Sequence, residues 1–327
     1  MPRVLSGIQP SGQLHLGNYA GAIRQFLDLQ DAGNEMFVFV ASYHALTSTR
    51  DPEVLRGNIR QIVIDYLAFG LDPKKTAIYV QQDVPEVTEL AWLLSCVCPM
   101  SWMEKAVSYK DKLAKGISSN VGLFTYPILQ AADILAVDAD VVPVGRDQVQ
   151  HLELARDMAA RFNEEFKADV FKLPAYRLAA EAAVVPGIDG EKMSKSYGNT
   201  IDPFQEEKPL RKRIMSIKTD SLGVNDVKNP DTCSVFQIFR ALAGKDDQRT
   251  VDLARRYREP AADGFGYGHA KQALFELLLD HFGPARQRRA ALMQDSAFID
   301  QVLQQGAIAA RKQARIVTDR ARRAVGL

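Results

Sequence analysis

Met36-Phe37-Val38-Phe39-Val40-Ala41 is apolar at every position instead of alternating with polar residues. A strand of that kind must be covered on both faces, the condition of a parallel sheet sandwiched by helices. Around it, Arg3–Ser6, Ala77–Gln81 and Asp140–Val144 read as further strands, with Ala183–Val185 a weaker fifth. Tens of residues with helical periodicity separate them, which is the βαβ pattern of a doubly wound sheet. In such sheets ligands bind beyond the carboxyl ends of the strands, where Gly7, His44 and Gly145 fall.

The first strand runs into Gly7-Ile8-Gln9-Pro10-Ser11-Gly12-Gln13-Leu14-His15-Leu16-Gly17-Asn18. Gly7, Pro10 and Gly12 break the strand, and a helical pattern starts at Leu16, marked by Ala20, Ile23, Leu27 and Gln30. A strand, a glycine-rich loop and a helix N-terminus make an anion site, because the first helical N–H groups have no intrahelical partner. The spacing is neither G-x-x-x-x-G-K-[ST] nor G-x-G-x-x-G, so a P-loop or dinucleotide fingerprint is not supported. Far downstream lies Gly190-Glu191-Lys192-Met193-Ser194-Lys195-Ser196, followed by Gly198. Two lysines and two hydroxyls between glycines make a poor core and a poor helix. They suit a mobile loop over a triphosphate, with ammonium point charges and rotatable donors for moving anionic charge. A solvated lysine-bearing turn is the bland alternative.

Between these segments, Phe124-Thr125-Tyr126-Pro127-Ile128-Leu129-Gln130-Ala131-Ala132-Asp133-Ile134-Leu135 reads as a helix with Pro127 in its first turn. Tyr126, Gln130 and Asp133 span only about 60° of it. A carboxylate beside Ala131 and Ala132 can accept from a buried N–H, such as an indole nitrogen, and leave room for a large ring. An exposed polar face is the other reading.

After Pro203 the strand signals fade, and Ser234–Leu242, Gln248–Tyr257, Ala270–Phe282, Ala285–Met293 and Ala309–Val325 read as helices. Gly244, Pro260, Gly283-Pro284 and Gly306 punctuate them. The expected fold is α/β: a Rossmann-like doubly wound parallel sheet over residues 1–205, then an all-helical domain over 206–327. Packing of some of those helices on residues 91–115 is left open.

Lys and Arg number 41 against 40 Asp and Glu, so net charge points to no nucleic-acid partner. The distribution is less even. From Pro284 onward stand Arg286, Arg288, Arg289, Arg311, Lys312, Arg315, Arg320, Arg322 and Arg323 against only Asp295, Asp300 and Asp319. Arg311, Arg315 and Arg322 fall within roughly 40° on one helix. That stripe is either a solvated face or a contact for RNA phosphates. Cys96 and Cys98 sit in an apolar run and read as buried, inert thiols. Three cysteines and five histidines assemble no metal site, and low cysteine use fits the reducing cytosol. No leader and no run of roughly 20 apolar residues is seen, so a soluble, cytoplasmic protein is expected.

His15-Leu16-Gly17-Asn18 and Lys192-Met193-Ser194-Lys195-Ser196 together resemble the two signature motifs of class I aminoacyl-tRNA synthetases. The Tyr126–Asp133 run, with Asp140-Val141-Val142-Pro143-Val144-Gly145-Arg146-Asp147-Gln148-Val149-Gln150-His151, is similar to the tryptophanyl branch of that family. The resemblance covers essentially the whole chain and is densest from Val4 to Pro203. Gln130 stands where many members carry Met, and Arg146 where an acidic residue is frequent.

This resemblance implies activation of L-tryptophan with Mg–ATP, then transfer to tRNA(Trp) by a homodimer. Lys192 and Lys195 would be catalytic, stabilising the pyrophosphate leaving group. ATP would be held by Gln9, Pro10, Ser11, His15, Gly17, Asn18, Gly145, Arg146, Asp147, Val185, Met193, Ser194 and Ser196 as well as by both lysines. Asp147 and Gln150 also have capping-box spacing. Tryptophan would be held by Asp133, Tyr126, Gln130, Gln148, His44, Leu5, Gly7, Val142 and Val144. Some tryptophanyl enzymes carry an iron–sulfur cluster; Cys233 matches one ligand but 258–271 supplies no cysteine, so neither cluster nor zinc is expected. The apolar run Leu93–Met103 is a candidate interface. Tyrosyl-tRNA synthetase shares the fold and both motifs and is the near rival. A duplicated synthetase-like RNA-binding protein is the other, although such a copy would be expected to lose Lys192 and Lys195.

Overall fold

The computed structural model describes residues 1–105, 120–178, 185–259 and 264–327, without the Asp147 side chain. Five strands form one parallel sheet: β1 (Arg3–Ile8), β2 (Glu35–Val40), β3 (Thr76–Val80), β4 (Val141–Val144) and β5 (Ala175–Leu178). Their order is β3-β2-β1-β4-β5. The chain builds outward from β1 in one direction and then returns to extend the sheet in the other. A crevice therefore opens between the carboxyl ends of β1 and β4, the switch point at which doubly wound sheets bind ligands.

Both faces of β2 are covered, as its apolar run requires. Val38 and Val40 join Val4 and Ile78 in one core, whereas Phe37 and Phe39 join Leu5 and Tyr79 in another. The fifth strand is not Ala183–Val185; it is Ala175–Leu178, with all four residues exposed. An exposed edge strand has no burial pattern to betray it. Of the expected segment, 183 and 184 lie outside the described residues, and Val185 is buried outside any strand.

Among the described residues the helices are α1 (Leu16–Asn18), α2 (Arg24–Asp31), α3 (Ser42–Ala45), α4 (Pro52–Phe69), α5 (Glu86–Val97), α6 (Met100–Lys105), α7 (Val121–Ala136), α8 (Val149–Glu165), α9 (Glu207–Met215), α10 (Ser234–Ala243), α11 (Gln248–Arg258), α12 (Tyr267–Leu292) and α13 (Ser296–Val325). A π-helical stretch, Tyr19–Ile23, joins α1 to α2. The Asp51 carboxylate caps α4 by accepting from the Glu53 and Val54 N–H groups, and Gly70 ends that helix with φ 118°. The Asn120 side chain caps α7, accepting from Leu123 N–H at 2.9 Å, so the helix starts earlier than expected and Pro127 lies inside it.

Two breaks expected in the C-terminal part are absent. Gly283-Pro284 lies within α12, flanked by buried Phe282 and Ala285, and tertiary packing on both sides overrides the proline. Gly306 lies within α13 because that helix presses on β3; a methyl at Gly306 would overlap the Ile78 carbonyl oxygen. The C-terminal helix thus returns to the sheet, with Ala310, Ala314 and Val317 sharing a core with Leu90 and Leu94 of α5. Residues 106–115 of the segment considered for packing lie outside the described residues.

The basic stripe lies along α5 and is ion-paired there, with Arg315 and Arg322 still exposed. Arg311 and Arg315 both bond Glu86, at 3.0 and 3.1 Å, and Arg322 bonds Glu89 at 2.6 Å. Arg286 and Arg288 donate to the Pro203 and Ala68 carbonyls, and Arg289 pairs with Asp65 at 2.9 Å. Helical spacing defines a face but not the acidic helix that meets it. Cys96 is exposed and Cys98 half-buried, not the buried pair expected, because the outer face of α5 carries Trp92 and Cys96. Cys233 is buried beside the Tyr257 hydroxyl, 3.3 Å away. No helix among the described residues is long and apolar enough to cross a membrane.

Candidate active site

All nine side chains expected around tryptophan line one cavity of about 480 Å³ at the β1/β4 crevice. β1 contributes Leu5 and Gly7, β4 contributes Val142 and Val144, and α7 contributes Tyr126, Gln130 and Asp133. His44 enters from α3, and Gln148 from the turn after β4. Gly7 is required here: a Cβ would sit 2.7 Å from the Phe39 ring.

Asp133 is only 3% exposed at the cavity wall. Its Oδ2 lies 3.0 Å from His44 Nε2. Gln81 Nε2 donates to Oδ1 at 2.9 Å and to Oδ2 at 2.8 Å. Burial pushes the carboxyl above its usual range, while the His44 and Gln81 contacts pull it back. The Tyr126 hydroxyl meets His151 Nε2 at 2.8 Å, and Gln130 donates to Gln148 at 3.4 Å. Gln81 is absent from the expected set. Its signal in the sequence is a polar amide ending a buried strand, which does not say where the amide points.

Gln9 and Gly145, two of the expected nucleotide residues, border the same cavity as those expected for the amino acid. The two distant motifs also meet one another. Lys195 Nζ donates to Ser11 Oγ at 3.4 Å, and Gly17 N–H donates to the Met193 sulfur at 3.3 Å. Met193 N–H in turn donates to the Val185 carbonyl at 3.2 Å. His15 is buried beside Gly17, where a Cβ would lie 3.0 Å from its ring. Burial, and then the nearby Lys195 charge, lowers the His15 ring to about 4, so it is neutral near pH 7. Its backbone N–H donates to Asn18 Oδ1 at 3.2 Å.

The lysine loop is shaped by Asn199, 1% exposed. Asn199 Oδ1 accepts from Ser194 N–H at 2.7 Å, and its Nδ2 donates to Asp189 at 2.9 Å and to the Lys192 carbonyl at 3.1 Å. Gly198, at φ 61°, turns the chain after Ser196 and Tyr197. Lys192 and Ser196 are exposed, whereas Lys195 is half-buried, and burial lowers its ammonium from the usual lysine value against the pull of Asp65. Arg146 is exposed beside the cavity mouth, and Pro10 accepts from Asn58 Nδ2 at 3.2 Å. The Asp147 side chain, and with it the capping-box reading, lies outside the described residues.

A neutral histidine, a helix N-terminus and a lysine loop thus lie near a cavity of mixed polar and apolar lining at the switch point of a doubly wound sheet. The family model of tRNA synthetases class I (W and Y) matches residues 1–283, and the chain belongs to that family. Within it, the chain is 49% identical over 327 residues to a tryptophan–tRNA ligase of Fusobacterium nucleatum, covering 100% of this chain and 98% of that one. It is 50% identical to a tryptophan–tRNA ligase of Rhodopirellula baltica over 99% of each chain. The crystal structure of the tryptophanyl-tRNA synthetase of Campylobacter jejuni complexed with ADP and tryptophan superposes with a TM-score of 0.91 at 46% identity, covering 99% of this chain and 100% of that one.

Proposed function

We infer that this chain ligates tryptophan to its tRNA in two steps. The tryptophan carboxylate attacks the α-phosphate of Mg–ATP, giving tryptophanyl-adenylate and pyrophosphate. The acyl group then passes to a ribose hydroxyl at the 3′ end of the tRNA. The observation that carries the reading is Asp133, a carboxylate buried at the wall of a cavity of about 480 Å³ with room for a large ring, together with the names of relatives near 50% identity. The carboxylate accepts the indole N–H, and Leu5, Val142 and Val144 enclose the ring. Gly7, His44, Tyr126, Gln130 and Gln148 complete the pocket.

Activation is a problem of charge and position more than of proton transfer. Lys195, already at Ser11, meets the β- and γ-phosphates, and Lys192 adds charge as the loop closes. Gln9, Pro10, Ser11, His15, Gly17 and Asn18 hold phosphates and ribose. Gly145, Arg146, Asp147, Val185, Met193, Ser194 and Ser196 hold the rest of the nucleotide. Mg²⁺ arrives as part of the Mg–ATP substrate. The helical part, residues 206–327, faces the anticodon side of the tRNA, with α13 tying it to the sheet.

The protein works as a homodimer through the outer face around Trp92, Met100 and Val121, which are 69%, 64% and 77% exposed. Leu93, Leu94, Val97 and Met103 of the apolar run face the core instead. Pyrophosphate exchange driven by each amino acid in turn tests the substrate. Tryptophan alone should support it, and exchange driven by tyrosine would overturn the assignment.

A further inference from the structure

Gln81 directly follows β3, is fully buried, and bonds both α3 and α7. Its Oε1 accepts the Tyr43 N–H of α3 at 2.8 Å, and its Nε2 reaches both oxygens of Asp133 on α7. The Tyr43 N–H can only donate, so it decides which way the amide is turned. Turning it over would set two donors face to face and place a carbonyl against a carboxylate. The amino group of Gln81 must therefore face Asp133.

That has a chemical consequence for Asp133. Oδ2 faces two side-chain nitrogens, from Gln81 and His44, whereas Oδ1 faces Gln81 alone. Spare acceptor capacity is thus left on Oδ1. Both Gln81 contacts are donated to the carboxylate, so they favour the ionised form that burial disfavours. Bidentate contact also resists rotation of the carboxylate about its own axis.

We propose that Gln81 is a positioning residue for the amino-acid substrate: it holds Asp133 in one orientation and as an acceptor only, so that a ring N–H is read. This rests on the assignment of the cavity to tryptophan. Its partner in that task is the backbone of α3, the helix that also brings His44 to Asp133.

The test compares Gln81→Met, close in shape but without the amide, with Gln81→Glu and Asp133→Asn in tryptophan-dependent pyrophosphate exchange across pH. For Gln81→Met the KM for tryptophan should rise roughly ten- to hundredfold, with kcat and the KM for ATP little changed. The acid limb of kcat/KM for tryptophan should move to higher pH, because Asp133 loses a donor that favours its ionised form. A merely structural role would lower kcat or stability and leave that limb in place. Gln81→Glu should behave in the opposite sense. At low pH the introduced carboxyl keeps a proton and donates it to Asp133, recovering tryptophan affinity; as that proton leaves, two carboxylates repel and affinity falls. A KM within about twofold of wild type for Gln81→Met, or an unmoved acid limb, overturns the proposal. Should Gln81→Met fail to fold, the direction of the Gln81→Glu profile decides it. Unchanged tryptophan kinetics in Asp133→Asn would instead overturn the assignment of the cavity itself.

Discussion

The Lys195 ammonium donates to the Ser11 hydroxyl across 3.4 Å, joining two loops 184 positions apart in the chain. The contact is seated by a second one, Gly17 N–H on the Met193 sulfur, so the lysine loop rests on the first helix as a unit. On the proposed function, contact with the phosphates would need only a small displacement of Lys195 from a hydroxyl to an anion, within a loop already held by Asn199.

Lys195→Ala should slow adenylate formation by about 10²- to 10³-fold, the scale for removing one preorganised charge-stabilising group. The KM for tryptophan should stay nearly constant, since the charge matters most as the α–β phosphate bond breaks. Lys192→Ala should act in the same direction. Single-turnover kinetics check both, and equal weakening of ATP binding and of the chemical step would mean that the loop only holds nucleotide.

Gly306→Ala should destabilise the protein by about 1–3 kcal/mol or abolish folding, because the added methyl has to displace either α13 or the Ile78 carbonyl of β3. Gly57→Ala, on the exposed side of α4 with no atom within 4 Å, should stabilise by about 0.5–1 kcal/mol. Thermal unfolding of the two variants separates a steric effect from helix propensity. Equal shifts would show that α13 does not press on the sheet.

Replacing Arg311, Arg315 and Arg322 together by Gln should lower the melting temperature, because Glu86, 10% exposed, loses both of its arginines. Adding Glu86→Gln to that background should restore much of the loss. Aminoacylation should show little change in the KM for tRNA. An unaltered melting temperature with a raised tRNA KM would return these arginines to the RNA.

Burial pushes the Asp65 carboxyl up to about 6 against the bonds from Arg289 and Gln61. A carboxyl raised in the folded state contributes stability that is whole below its unfolded value, about 3.9, and fades as pH rises through the folded one. Wild type should therefore lose stability relative to Asp65→Asn between pH 4 and pH 7, measured by urea unfolding at each pH. A gap that stays constant over that range would show that Asp65 is ionised throughout.

Much of the site was legible in the residues. The nine positions that the family resemblance implied around the amino acid line one cavity, brought together by the strand order; helical periodicity alone grouped only Tyr126, Gln130 and Asp133. Gln81 was not legible, since a polar residue at a strand end is ordinary until α3 and α7 are seen to close on it. The strand Ala175–Leu178 was hidden because its residues are exposed.

By itself, the sequence determined the doubly wound sheet and its two glycine-flanked motifs, because both are written in short-range pattern: apolar runs, glycine breaks, lysines between glycines. Only the tertiary structure decided what each face meets. The arginines of α13 share one side of a helix in either case. Whether that side holds RNA or the carboxylates of Glu86 and Glu89 depends on α13 folding back onto β3, more than two hundred positions away. A helix's own residues set the face it offers, but its partner is set by the packing of the whole chain.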